Sequence, residues 1–176
     1  MSSSVRLLHD RFDTPLGELI VVCDPEGALR AVHWNDRNER AAEFVRRRYG
    51  AATMEPCPDP GGVSSALKAY FDGELTAIDG LPVRADGTPF QQTVWRSLRD
   101  IPCGQTVSYS TLARRIGRAS AVRAVGLANG ANPVGIVVPC HRVIGANGTL
   151  TGYGGGLDRK RWLLAHERAG EWELTG

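Results

Sequence analysis

The chain has 176 residues, 42% of them hydrophobic, and a formal net charge of +2. That length suffices for one ordinary domain or two small ones, and the composition is that of a folded protein rather than a disordered or fibrous one. The near-neutral charge excludes a bulk polycation, and the longest apolar stretches, residues 19–23 and 135–139, are far too short to span a bilayer.

The first twenty residues carry His9, Asp10, Arg11 and Asp13, which leaves no apolar centre for a secretory signal. The cysteines, Cys23, Cys57, Cys103 and Cys140, are scattered without a CxxC pair. Such spacing implies reduced thiols in the cytoplasm and argues against a structural zinc site. A set of His9, Cys23 and His33 on neighbouring strands is the minor alternative. Lysine occurs only at Lys68 and Lys160, so the basic residues are almost all arginine.

Residues 5–12, 18–23 and 28–34 are short β-leaning runs separated by Pro15-Leu16-Gly17 and Pro25-Glu26-Gly27, which predicts consecutive hairpins. Residues 36–49 read as a helix whose end carries Arg46-Arg47-Arg48, where cations suit the helix dipole. Three prolines make 54–62 a loop, and 63–71 reads as a second helix. Residues 75–87 are irregular, with room for one strand, and the domain boundary is placed there: 1–86 and 87–176.

Thr88-Pro89-Phe90-Gln91 combines an N-cap threonine, a proline at the first helical position and a glutamine three residues on, the signature of a capping box. The helix it opens stops before Pro102. Ser108 can cap a helix over 109–116, which Gly117 ends, and a second helix covers roughly 119–129; the pair suggests a helix-turn-helix. Ala121, Ala124, Gly126, Ala128 and Gly130 line that second helix. Close approach to another surface and tight internal packing explain them equally well. Residues 136–138 read as a buried strand, Asn147-Gly148 as a turn, residues 151–156 as a glycine-rich loop, and 157–169 as a last helix stopped by Gly170.

Cys140 lies between Pro139 and His141. A thiol is a weak nucleophile until ionised, and a nearby imidazole can take its proton. In isolation the pair reads as a buried structural cysteine beside a chance histidine. Its surroundings change that reading. Pro139-Cys140-His141-Arg142-Val143-Ile144 resembles the active-site motif of the O6-alkylguanine-DNA alkyltransferases. The likeness continues, in order, through Phe90-Gln91, Val94-Trp95, Ile101-Pro102, Ser108-Tyr109, Arg123-Ala124-Val125-Gly126, Asn132-Pro133, Gly152-Tyr153, Gly155-Gly156-Leu157 and Trp162-Leu163-Leu164 to His166-Glu167. The N-terminal part shares Thr14-Pro15-Leu16-Gly17 and Tyr70-Phe71 more weakly.

The resemblance implies an α+β protein in two parts, an N-terminal ribonuclease-H-like α/β domain and a C-terminal, mainly α, winged helix-turn-helix-like domain. It implies irreversible transfer of an alkyl group from O6 of guanine in duplex DNA to Cys140, once per molecule, with O4 of alkylthymine a further candidate substrate. Cys140, His141, a water and Glu167 would form the proton relay, and Asn132 would bond backbone near the active-site turn. Tyr109 would donate to N3 of the base and the Gly154 N–H to O6. The Cys140 and Val143 carbonyls would accept from the exocyclic amine, Tyr153 would wall the pocket, and Lys160 would stand near the loop. Arg123 would replace the flipped nucleotide in the stack, with Ala124 and Gly126 letting the helix approach the minor groove. Transfer requires no cofactor and no metal. The partner would be double-stranded DNA bearing the lesion, met by a monomer in solution, with cooperative assembly on DNA a further option. Two other readings stand beside this: a non-catalytic lesion-binding relative, in which the cysteine is replaced, and a multiple-turnover cysteine hydrolase.

Overall fold

The computed structural model describes residues 5–35 and 52–168, with Glu43, Arg46, Arg47, Tyr49 and Gly50 between them. The helix predicted over 36–49 lies largely outside the described residues. The chain divides into two compact units, Met1–Asp86 and Gly87–Gly176.

In the first unit, strands β1 (Arg6–Thr14), β2 (Gly17–Cys23), β3 (Leu29–Trp34) and β4 (Thr53–Pro56) form one sheet in the order β3-β2-β1-β4. The β1–β2 hairpin closes where Thr14 Oγ1 accepts from the Leu16 N–H (3.0 Å) and donates to the Gly17 carbonyl (2.7 Å). Gly17 takes φ 120°, a conformation that favours glycine. The inner strand β2 is buried from Leu19 to Cys23. Helix α1 (Val63–Phe71) contributes Val63, Leu67 and Tyr70 to the core, each fully buried. Between β2 and β3 the buried Asp24 carboxylate accepts from the N–H groups of Glu26 (3.1 Å) and Ala28 (2.9 Å) and meets Arg30 and Arg84.

One expectation for this unit is corrected. The region predicted as loop, 54–62, begins with β4, which pairs parallel to β1 with Arg6 opposite Thr53. Pro56 misleads because β4 is an edge strand, where a missing N–H on the open side costs no ladder bond; Pro58 and Pro60 lie beyond it. The irregular stretch before the boundary contributes a single bridge, Leu29 to Val83.

The second unit starts with helix α2 (Pro89–Arg99), and its capping box is formed at both ends. Gln91 N–H donates to Thr88 Oγ1 (3.1 Å) and Thr88 N–H to Gln91 Oε1 (3.0 Å). Helices α3 (Tyr109–Arg115) and α4 (Val122–Gly130) follow as the helix pair, with Ser108 capping α3 through the Thr111 N–H (3.0 Å). Strands β5 (Val107–Ser108) and β6 (Val143–Ile144) pair in parallel, and α5 (Leu157–Arg168) is the last helix. Trp95 joins α2 to α4: it is 4% exposed, and its indole N–H donates to the Ala128 carbonyl at 2.9 Å. Trp95→Ala is expected to cost about 3–5 kcal/mol in urea unfolding, from the cavity and the lost bond. A loss below about 1 kcal/mol would contradict this packing role.

Among the described residues, no helix is long and apolar enough to cross a membrane. No group of three or more His, Cys, Asp or Glu among them could hold a metal ion, so His9, Cys23 and His33 are not brought together as one. Among the described residues, none of Cys23, Cys57, Cys103 and Cys140 is in a disulfide.

Candidate active site

The chain reaches Cys140 through turns rather than the strand predicted for 136–138. The Val137 N–H donates to the Gly135 carbonyl (2.9 Å) around Ile136, whose φ is +73°. That is a γ-turn of the strained, positive-φ kind, in a β-branched residue that rarely adopts it. The Cys140 N–H then donates to the Val138 carbonyl (2.8 Å) around Pro139, at φ −83° and ψ 66°, an inverse γ-turn. Asn132 ties both turns down. Its Oδ1 accepts from the Val134 N–H at 3.0 Å, and its Nδ2 donates to the Val138 carbonyl at 2.8 Å. A run of β-branched residues looks like a strand, but these bonds divert it.

Cys140 opens a short 3-10 turn, Cys140–Arg142, and is 9% exposed. Burial pushes its thiol pKa up, opposed by the Asn132 amide, the Lys160 charge and the backbone N–H groups of Cys140 and His141. The resting sulfur is therefore a thiol that holds its proton until a base removes it.

His141 is fully buried. Its Nε2 faces both oxygens of Glu167, at 3.0 and 2.9 Å. Arg142 grips the same carboxylate in two-pronged fashion, with Nε 2.8 Å from Oε1 and Nη2 3.0 Å from Oε2, and its Nη1 donates to the Ile101 carbonyl at 2.7 Å. Burial alone would raise the Glu167 pKa. The charges and hydrogen bonds of His141 and Arg142 outweigh it and hold Glu167 ionised, well below the usual carboxylate range.

Lys160 is also fully buried, although a lysine at this helix position reads as well for the surface. Its Nζ donates to the carbonyls of Val143 (2.7 Å), Thr151 (2.7 Å) and Gly152 (3.5 Å). It thereby fastens the glycine-rich loop to β6, just beyond the cysteine turn. Burial lowers its pKa to about 8, partly offset by Cys140. Tyr109, half-buried at the start of α3, makes long contacts with Thr151: its hydroxyl stands 3.5 Å from the Thr151 carbonyl oxygen and 3.4 Å from Thr151 Oγ1. Tyr153 is half-buried, its hydroxyl 3.7 Å from where a Cβ on Gly135 would stand, and Gly154 is exposed.

Cys140 thus has His141 beside it in the turn, bonded to Glu167, with Asn132 and Lys160 tying down the flanking residues Val138 and Val143. Arg123 and Ala124 stand apart on the exposed face of α4, with Leu127 71% exposed and Val122 36% exposed beside them. A Cβ on Gly126 would meet the Tyr109 ring at an ordinary 3.8 Å, so internal packing does not demand glycine there. Sequence reasoning missed the buried Arg142, quoted only as part of the hexapeptide, and Asn129, 4% exposed, whose Nδ2 approaches the Cys140 carbonyl at 3.5 Å. It also passed over a charge pattern: no Asp or Glu occurs between Asp100 and Asp158, a stretch that contains Arg114, Arg115, Arg118 and Arg123.

Fold and site together define a two-part α+β protein whose second part joins a helix-turn-helix to a buried cysteine followed by a histidine that is bonded to a buried glutamate. Two family models match it: "6-O-methylguanine DNA methyltransferase, ribonuclease-like domain" over residues 7–85, and "6-O-methylguanine DNA methyltransferase, DNA binding domain" over residues 89–169. A methylated-DNA–protein-cysteine methyltransferase of Shigella flexneri is 53% identical over 165 residues, covering 93% of this chain and 96% of that one. One of Mycobacterium bovis is 58% identical over 129 residues, covering 72% and 78%. The crystal structure of Mycobacterium tuberculosis OGT in complex with DNA superposes with a TM-score of 0.79 at 42% identity, covering 94% of each chain. The chain belongs to the 6-O-methylguanine DNA methyltransferase family.

Proposed function

We propose that the protein repairs DNA by transferring an alkyl group from O6 of guanine to Cys140, once per molecule. The observation that carries this reading is the buried Cys140 followed directly by a histidine clamped to an ionised glutamate. Sulfur attacks the alkyl carbon, the carbon–O6 bond breaks, and a sulfur–carbon bond forms. The thiol proton passes to His141 through a water, and Glu167 stabilises the imidazolium, as a carboxylate does in a catalytic triad. The departing guanine anion needs donors as its charge develops: Tyr109 O–H at N3 and the Gly154 N–H at O6. The Cys140 and Val143 carbonyls select the exocyclic amine. Val143 already accepts from Lys160 and keeps a second lone pair for the base. Tyr153 walls the pocket.

The partner is double-stranded DNA entered from the minor groove. An acid-free stretch of chain that bears Arg114, Arg115, Arg118 and Arg123 suits phosphates, and exposed Val122 and Leu127 suit apolar contacts in that groove. Arg123 fills the space left by the extruded base. One chain carries every proposed catalytic group, so transfer requires no second copy. Cysteines outside any disulfide suit the cytoplasm.

Titration with DNA carrying O6-methylguanine tests the reading: repair stops at one lesion per protein, whereas continued turnover would identify a hydrolase. Arg123→Ala is expected to slow repair of duplex by about tenfold or more while barely slowing reaction with free O6-benzylguanine. Equal slowing of both would remove Arg123 from base extrusion.

A further inference from the structure

Two side chains adjoining Cys140 each bury a polar atom that has no hydrogen-bond partner among the described residues: Asn129 Oδ1 and His141 Nδ1. Their chemistry is fixed by what the other ends touch. The Cys140 carbonyl can only accept, so it takes the Asn129 Nδ2 at 3.5 Å and leaves Oδ1 as the free end. The ionised Glu167 can only accept, so it takes the His141 Nε2–H, and the neutral imidazole, the form able to take up a proton, then carries its lone pair on Nδ1. Asn129 reaches the cysteine from α4, and His141 follows it in the chain. Both are at least nine-tenths buried. Buried acceptors without donors are costly, and a water with two hydrogens is the smallest group that satisfies two of them.

We propose that one water is held between Asn129 Oδ1 and His141 Nδ1, and that Asn129 is thereby a positioning residue for proton transfer out of Cys140. With both its hydrogens engaged, the water turns its lone pairs to the thiol. As sulfur bonds to the alkyl carbon and the carbon–O6 bond breaks, the thiol proton passes to this water. The water hands one of its own to His141 Nδ1, and the imidazolium is balanced by Glu167. Without the Asn129 oxygen the water is free to rotate, and its lone pair no longer faces the sulfur. The inference rests on the reading of Cys140 as the nucleophile.

A crystal structure of the unmodified protein, resolved well enough to place waters, is expected to show one within about 3.2 Å of both atoms. A water bound to only one of them, or to neither, overturns the proposal. Asn129→Leu, reacted with free O6-benzylguanine, is expected to be about tenfold slower at neutral pH. That deficit closes as the pH rises and hydroxide ionises the thiol directly. A deficit of constant size at every pH would mark a merely structural residue and count against the proposal. If the unmodified protein itself fails to react, the nucleophile assignment falls, and the water is judged by the crystal structure alone.

Discussion

Cys140→Ser is expected to bind DNA carrying O6-methylguanine and to transfer nothing in the time the wild type needs to complete its single turnover. Serine keeps the size of the side chain and the backbone bonds that hold the turn, namely the Cys140 N–H to the Val138 carbonyl and the closing 3-10 bond at Val143. It exchanges a polarisable thiolate for a hydroxyl that the same imidazole ionises far less readily. The groups proposed to meet DNA, Arg123, Ala124 and Leu127, lie on α4 and are untouched by the change. Gel-shift or anisotropy binding together with a transfer assay separates the two functions. Transfer by the serine variant would remove Cys140 from the chemistry.

The second large effect is expected at Glu167. This buried carboxylate accepts from His141 and twice from Arg142, so Glu167→Gln leaves a buried guanidinium without its counter-charge and sets an amide N–H against one of its donors. Breaking a buried pair in this way costs about 3–5 kcal/mol. Transfer should also fall by about a hundredfold, because the imidazolium is no longer stabilised. The pH dependence has a definite sign. Glu167 in the folded protein ionises below the 4.5 of an unperturbed glutamate, so its contribution is complete above that pH and is lost as the pH falls beneath it. Urea unfolding should therefore show a gap between wild type and Glu167→Gln that narrows as the pH falls below 4.5. A gap that widens as the pH falls below 4.5 would contradict the ionised carboxylate.

Much of this was legible in the residues because local chemistry dictated it. The capping box at Thr88–Gln91, the Ser108 cap and the helix pair around Gly117 all depend on side chains bonding to their own backbone neighbours, and all formed. The hexapeptide around Cys140 marked the place of the site. What failed depended on partners distant in sequence. Strand β4 was hidden because its Pro56 is tolerable only at an edge, and edge position follows from the sheet order. The β-branched run at 136–138 became two γ-turns because the Asn132 amide binds the Val138 carbonyl. Burial of Lys160 and Arg142 was illegible for the same reason. Each is made tolerable by acceptors from separate parts of the unit: three carbonyls for one, and the Glu167 carboxylate with the Ile101 carbonyl for the other.

The most direct test of alkyl transfer to Cys140 is mass spectrometry of the protein after incubation with duplex DNA containing O6-methylguanine. The intact chain is predicted to gain a single methyl group, with peptide mapping placing it on the sulfur of Cys140. A methyl group on Cys23, Cys57 or Cys103, or unmodified protein beside fully repaired DNA, would contradict the account.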